Sequence, residues 1–318
     1  MAVFTPLSAD QVTSFLERYD VGTLSELAEV AGGTENSTFF VTTDQQQMVL
    51  TLFEQGGTDE LPFFVEMLDF LADHDLPVPG PIADRNGQAL QTLANRPALL
   101  FPRLPGRSPE VPTPAQCTEI GHFLGRMHHI SHSFTGQRAN QRDHSWVAQQ
   151  IPRVLPYLSE EESALMKRYG EELCTRFAAA PLLPQGAIHG DLFRDNSLFE
   201  SDRLGGVIDF YNGCVGDFIY DLAVLVNDWC HNDDGTMDKK RYDALLSAYE
   251  KERSLTDNER HYWYDMLKLT ALRYWLSRLL VIHVDQPAFQ LTPKPPRQFL
   301  DILKAHYCMP PLAFPSCA

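Results

Sequence analysis

What this 318-residue sequence lacks narrows its reading first. No apolar run approaches the length of a membrane span, and no basic-then-apolar leader opens the chain, so neither a membrane partner nor export is expected and the cytoplasm is the expected location. The six cysteines, at 117, 174, 214, 230, 308 and 317, show no C-x-x-C spacing and no dense cluster. They read as free thiols in a reducing compartment, which excludes a zinc ribbon and a disulfide scaffold. Positive charge is short: 26 Lys and Arg stand against 42 Asp and Glu, a formal net charge of -16. Nucleic acid is therefore not an expected partner, although a local basic cleft stays compatible with the balance. Internal repeats and low-complexity tracts are also missing. What remains is ordinary for a globular chain, with 44% hydrophobic residues and enough length for two lobes with a core.

Against that background one stretch carries chemistry. His189-Gly190-Asp191-Leu192-Phe193-Arg194-Asp195-Asn196 spells H-x-D-L-x-x-x-N, and Ile208-Asp209-Phe210 follows it. This is the layout of a kinase catalytic loop and its metal-binding aspartate. Phosphoryl transfer from ATP needs a carboxylate to take the attacking hydroxyl's proton, and oxygen ligands to hold Mg²⁺ on the phosphates. Asp191 suits the first task; Asn196 and Asp209 suit the second. Ser197–Glu200 and 206–208 read as two strands joined by the polar turn 201–205, a hairpin that returns the chain to its start. His189 reads as a brace of the loop. The bland alternative is a polar loop beside an ordinary hairpin, its acids merely solvated.

The order of elements supports a two-lobe chain. Ser8-x-x-Gln11, Thr113-Pro114-x-Gln116, Ser159-x-x-Glu162 and Thr256-x-x-Glu259 each match a capping box. Strands are expected at 24–31, 37–43, 48–54, 88–93 and 98–101, with a helix at 59–74 carrying apolar positions 61, 64, 68 and 71. Breakers crowd Pro102-Arg103-Leu104-Pro105-Gly106-Arg107-Ser108-Pro109, which reads as a hinge. Helices then dominate, at about 113–132, 145–155, 159–179, 217–230, 238–252 and 256–283, with a last short helix after the proline-rich stretch 284–298.

At this point the sequence resembles the aminoglycoside-phosphotransferase-like kinases, and within them the homoserine kinase group. The resemblance is carried by Gly32-Gly33-Thr34-Glu35-Asn36-Ser37, Val49-Leu50-Thr51-Leu52-Phe53-Glu54, Leu104-Pro105-Gly106-Arg107, the 190–196 loop and Val207–Asn212. Tyr220-Asp221-Leu222-Ala223, Asn227-Asp228-Trp229-Cys230 and Leu272-Arg273-Tyr274-Trp275-Leu276-Ser277-Arg278 complete it. The resemblance implies an α+β, bilobal protein-kinase-like fold: a small β-rich N-terminal lobe, 1–102, for the nucleotide, a hinge at 103–109, and a larger α-rich lobe, 110–318, for catalysis and substrate. It implies ATP and Mg²⁺ as cofactors and L-homoserine as the acceptor, giving O-phospho-L-homoserine for threonine biosynthesis. It also implies a monomer or homodimer, with Asp221 bracing the catalytic loop. Choline, an aminoglycoside or a sugar as acceptor, and a non-catalytic pseudokinase, stay open beside it.

Two departures from protein kinases stand out. Thr51 occupies the position of the lysine that meets the nucleotide phosphates, and offers no cationic charge. Phe210-Tyr211 replaces Phe-Gly after Asp209, which removes glycine's backbone freedom there. The 32–37 loop places Gly33, Thr34, Asn36 and Ser37 as candidate nucleotide contacts, with Thr51; a tight hairpin would use the same residues.

For the acceptor, Asp217, Asp221 and Asp228 fall within about 40° on one helix face, and Asp228 is the candidate for its ammonium; the stripe could also be a solvated face. Arg273 is the candidate for its carboxylate, a structural salt bridge with one of those helix acids being the alternative; Arg194, which could also pair with phosphate or a local acid, and Tyr211 are further candidate contacts. Arg278 stands about 140° from Arg273 on the same helix, too far around to share one carboxylate. His128, His129 and His132 lack an accompanying carboxylate motif and read as helix surface or interlobe residues.

Overall fold

The computed structural model describes residues 4–30, 36–54, 58–285, 294–309 and 312–315. The chain divides into two compact units, 1–106 with 205–211, and 107–204 with 212–318.

The first unit runs α1 (Ala9–Leu16), β1 (Leu24–Glu29), β2 (Asn36–Thr43), β3 (Gln47–Phe53), α2 (Leu61–Asp73), β4 (Gln91–Leu93) and β5 (Arg96–Pro102). Its five strands form one sheet in the order β1-β2-β3-β5-β4, and every neighbouring pair is antiparallel. Side chains alternate across a strand, so Phe39 and Val41 of β2 join Met48, Leu50 and Leu52 of β3 in one buried cluster with Val12, Phe15 and Leu16 of α1. The other face of β3 is buried too: Thr51 and Phe53 are 4% and 7% exposed. The helix expected at 59–74 is α2, burying Leu61, Phe64, Leu68 and Leu71 as its spacing required, together with Phe63 and Met67.

The second unit contains α3 (Pro114–Ile130), α4 (His144–Val154), α5 (Glu160–Ala178), β6 (Gln185–Ile188) and β7 (Ser197–Glu200). β8 (Arg203–Val207) follows, and its second half belongs to the first unit. Then come β9 (Cys214–Asp217), α6 (Phe218–Trp229), α7 (Lys239–Glu252), α8 (Asp257–His283) and α9 (Pro296–Cys308). All four expected capping boxes form, with both reciprocal bonds present at Ser8, Thr113, Ser159 and Thr256.

α6 is buried at every one of its residues. The aspartate stripe is therefore not a solvated face: Asp221 is fully buried and Asp228 is 5% exposed. His128 also departs from expectation. It is buried, not on a helix surface, because α3 packs face-on against α7 and its polar ring finds partners there. That packing needs small residues: a Cβ on Gly121 would lie 2.4 Å from the Leu245 carbonyl oxygen. The hairpin turn is tighter than the composition suggested. β8 starts at Arg203 because Ser201 adopts a left-handed backbone (φ 58°), a conformation that lets a strand reverse in few residues. The strand expected at 88–93 is confined to Gln91–Leu93, and β6 and β9 pair where no strand was expected. Cys117, Cys174, Cys214, Cys230 and Cys308 are free thiols, in line with their spacing; Cys317 lies outside the described residues.

Candidate active site

In the second unit the chain leaves β6 at Ile188 and enters the 189–196 loop, which is held from below by Asp221 of α6. One Asp221 carboxylate oxygen accepts from the His189 backbone N–H (2.7 Å) and the other from the Gly190 N–H (2.8 Å). His128 Nε2 lies 3.2 Å from the first of these oxygens, and its Nδ1 lies 2.8 Å from the Tyr249 hydroxyl. Burial alone would push the Asp221 carboxyl up, but the hydrogen bond from His128, with that from the His189 backbone N–H, holds it below its ordinary value. Burial pushes His128 down against the pull of Asp221. The pair is thus a carboxylate facing a neutral imidazole, which donates from Nε2 and accepts Tyr249's proton at Nδ1. Gly190 has φ +76°, and a Cβ there would lie 2.7 Å from the Asn212 carbonyl oxygen. Glycine is required both for the left-handed turn and for that close approach.

This frame presents Asp191. Its Oδ1 accepts from the Tyr274 hydroxyl at 2.6 Å, and the same hydroxyl lies 3.1 Å from the Gly190 carbonyl oxygen. Its Oδ2 has a longer contact, 3.4 Å, with Asn212 Nδ2. Asn196 Nδ2 donates to the Asp191 carbonyl (2.9 Å). That bond fixes which way the amide faces, turning its oxygen, the atom a hard cation needs, to the opposite side. His189 is fully buried, and its Nδ1 accepts from the Asp191 N–H at 3.3 Å.

Arg194 and Asp228, two separate acceptor candidates, meet each other. Asp228 Oδ2 accepts from the Arg194 backbone N–H (2.7 Å) and lies 3.2 Å from its Nε, while Arg194 Nη1 donates to the Glu110 carbonyl (2.8 Å). Burial holds the Asp228 carboxyl above its ordinary value against the pull of Arg194. The two together clamp the end of the loop. Arg278 donates to the Pro295 carbonyl and Gln298 Oε1, both at 2.8 Å, and lies over Phe299; it fastens α8 to α9. Arg273 points elsewhere, 3.9 Å over the Tyr274 ring.

The remaining candidates belong to the first unit. Asp209 has φ 64°, a left-handed backbone uncommon outside glycine and found where a site imposes it. Tyr211, half-buried, meets Phe53 and Phe64 edge-on at 5.4 and 5.9 Å and shares a side-chain hydrogen bond with Thr51; desolvation raises its phenol, with Asp209 adding to the rise. Thr51 thus serves as a packing and hydrogen-bonding partner of Tyr211. No lysine precedes Lys167 and none falls within 205–211, so this unit has no lysine at all. Ser37 Oγ accepts from the Phe4 and Thr5 N–H groups (2.8 and 3.0 Å) and donates to Glu54 (2.5 Å), which ties the N-terminal segment to β2. Asn36 opens β2 opposite Phe53. Gly33 and Thr34 lie outside the described residues.

The donor set fits a nucleotide-bound divalent cation. Among the described residues no three His, Cys, Asp or Glu side chains gather into a closed metal cage. A cation held by phosphates and water needs only one or two protein oxygens, and an amide oxygen such as that of Asn196 is a donor of the right kind. Tyr274, Asn212 and His128 were missed as site residues in the sequence. Tyr274 lay within a string whose resemblance was noted, but nothing local marks a tyrosine in an apolar helix as facing a catalytic acid.

A kinase-type loop with its acid held by a tyrosine and an amide, in a chain of one sheet-rich and one helix-rich unit, defines a phosphotransferase. Residues 26–255 match the Phosphotransferase enzyme family, and the chain belongs to it. Its relatives include the homoserine kinases of Pseudomonas aeruginosa (strain LESB58), 43% identical over 88% of this chain and 89% of that one, and of Methylobacillus flagellatus, 41% identical over 96% and 95%. The homoserine kinase of Polaromonas naphthalenivorans is 40% identical over 98% and 99%. Among solved structures, an amicoumacin kinase in complex with AMP-PNP and Ca²⁺ superposes with a TM-score of 0.69 at 15% identity, over 95% of this chain and 92% of that one. A microcompartment-associated aminopropanol kinase gives 0.67 at 20% identity, over 94% of each. The fold is protein-kinase-like, as the order of elements and the resemblance implied. Among the described residues no helix is long and apolar enough to cross a membrane.

Proposed function

We propose that this protein transfers the γ-phosphoryl group of ATP to the hydroxyl of L-homoserine, forming O-phospho-L-homoserine and ADP in the cytoplasm. The observation that carries this reading is the hold on Asp191, in a chain alike over nearly its whole length to proteins named homoserine kinase.

Asp191 is the acceptor of the homoserine hydroxyl's proton. Tyr274 occupies Oδ1 at 2.6 Å, so Oδ2, with only the longer Asn212 contact, is the oxygen that faces the acceptor. Asp221 and Asp228 keep the loop in place through the His189, Gly190 and Arg194 N–H groups, which limits reorganisation when the acceptor arrives. Asn196 and Asp209 are the proposed ligands of Mg²⁺, which supplies charge neutralisation on the transferred phosphate when bound. That role is the weightier because Thr51 brings no positive charge. Gly33, Thr34 and Asn36 are proposed to cover the nucleotide, in the unit comprising 1–106 and 205–211.

The test is MgATP-dependent ADP release with L-homoserine, choline, an aminoglycoside and a hexose, the product identified by mass. Homoserine-dependent release with a product heavier by one phosphoryl group is expected. Turnover restricted to another acceptor would discard homoserine, and nucleotide binding without turnover on any acceptor would point to a pseudokinase.

A further inference from the structure

The C-terminal helix reaches back to the catalytic acid. α9 buries Phe299, Leu300, Ile302 and Leu303; positions 299, 302 and 303 follow the i, i+3, i+4 spacing of one helical face, and the helix packs along α8. That pattern does not separate Phe299 from its neighbours, but its surroundings do. The Phe299 ring is fully buried and stacks on Tyr274, with centroids 5.0 Å apart and 28° between the planes. It also meets Phe193 of the catalytic loop edge-on at 5.9 Å, and Phe193 meets Tyr274 edge-on at 4.7 Å. The rings of the catalytic loop, α8 and α9 thus close on one another.

The segment that carries Phe299 is fastened on both sides of that ring. Before it, Arg278 donates to the Pro295 carbonyl and Gln298 Oε1 and lies 4.5 Å over Phe299 itself. Lys294 Nζ lies 2.5 Å from Asp195 Oδ2 and 4.9 Å over the Phe193 ring, both on the catalytic loop. After it, His306 Nε2 lies 2.8 Å from Asn227 Oδ1, and the Asn227 amide donates to the Leu267 carbonyl and Thr270 Oγ1. A shift of α9 along α8 would break these bonds, so the place of Phe299 is fixed.

We infer that Phe299 is a positioning residue for phosphoryl transfer, acting through Tyr274 on the carboxylate of Asp191, and that α9 is thereby part of the catalytic apparatus. The inference rests on the reading of Asp191 as the base. Tyr274 bonds Asp191 Oδ1 with its hydroxyl, the end of the side chain farthest from α8. The torsion about a tyrosine ring is broad, so the place of the hydroxyl depends on what packs against the ring. Stacked and edge-on contacts are the arrangements aromatic pairs favour, and Tyr274 has one of each, from Phe299 and Phe193. Loss of the stacked partner frees the ring to swing, and a misplacement of about 1 Å can cost on the order of 100-fold in rate.

The experiment is a double-mutant cycle on kcat for ADP release at saturating MgATP and acceptor, in wild type, Phe299→Leu, Tyr274→Phe and the double variant. KM for ATP, KM for the acceptor and the unfolding midpoint are followed alongside. Phe299→Leu is expected to lower kcat about 5- to 20-fold with both KM values within about threefold of wild type, and to add less than about twofold once residue 274 is Phe. Leu303→Val, on the same face of α9 and equally buried, is the control: its unfolding midpoint is expected to fall while kcat stays within about twofold. An unchanged kcat in Phe299→Leu, losses that multiply in the double variant, an equal kcat loss in Leu303→Val, or a rise in acceptor KM alone would each overturn the inference. Where Phe299→Leu does not fold, Phe299→Met fills the site with a flexible chain that has no ring and is read against the same outcomes. The cycle is run on whichever acceptor the wild type uses. Turnover restricted to an acceptor other than L-homoserine fails the homoserine reading and leaves this test intact; no turnover on any acceptor overturns both.

Discussion

At the scale of single residues, the site is organised around how Asp191 is held. Tyr274→Phe removes the 2.6 Å hydroxyl bond to Oδ1 and keeps the ring that packs edge-on to Phe193. A hydrogen bond to a charged group is worth about 1.5–3 kcal/mol, so kcat is expected to fall about 10- to 100-fold while the unfolding midpoint stays near wild type; an unchanged kcat would remove Tyr274 from the mechanism. As candidates, Asp191, Asn196 and Asp209 were legible in the sequence, because each is tied to a fixed spacing within one loop and the strands that follow it. The Asp228–Arg194 pairing was not, although both residues were singled out. Helical phase put Asp228 on a face with Asp221, but no periodicity tells which residue of a distant loop meets that face. Nor could it be read that Thr51 would find its partner in Tyr211.

At the scale of elements, the catalytic loop depends on α6, and α6 on the packing around α3. Asp221 is fully buried and carries two loop N–H groups and His128. Asp221→Ala leaves those donors unpaired, and a loss of about 3–5 kcal/mol in unfolding free energy is expected, measured by urea titration at pH 7; a loss below about 1 kcal/mol would deny the aspartate its bracing role. Gly121→Ala tests the α3–α7 contact, since the added methyl meets the Leu245 carbonyl. It is expected to cost about 1–3 kcal/mol without changing KM for ATP. The helices themselves were readable to within a residue or two, because Ser8, Thr113, Ser159 and Thr256 declare their N-termini through side-chain chemistry confined to four residues. β6 and β9 were not. Gln185–Ile188 and Cys214–Asp217 are each four residues long and pair with one another across the intervening catalytic loop, and strands that short carry too little alternation to be seen alone.

At the scale of the whole molecule, buried histidines set how the protein answers acid. Burial pushes His231 down to about 4 from an ordinary value near 6.5, and burial lowers His306 and His128 in the same direction. The unfolded chain therefore takes up a proton at His231 before the native state does. Its contribution to stability is complete above about pH 6.5 and is lost as pH falls toward 4, by about 3 kcal/mol. Urea midpoints are expected to fall between pH 7 and pH 5, with a shallower slope in His231→Gln; equal slopes in the two proteins would refute the assignment. The kinase reading makes a further demand: EDTA should abolish ADP release, and excess Mg²⁺ should restore it. Its central claim is that Asp191 serves as the base in phosphorylating L-homoserine, and the most direct measurement is kcat for ADP release at saturating MgATP and L-homoserine in wild type and Asp191→Asn. A fall of at least about 100-fold, with nucleotide affinity and the unfolding midpoint preserved, is the expected result, in keeping with the usual 10²–10⁴-fold contribution of a positioned acid or base. Homoserine-dependent turnover within a few-fold of wild type in the variant would contradict it.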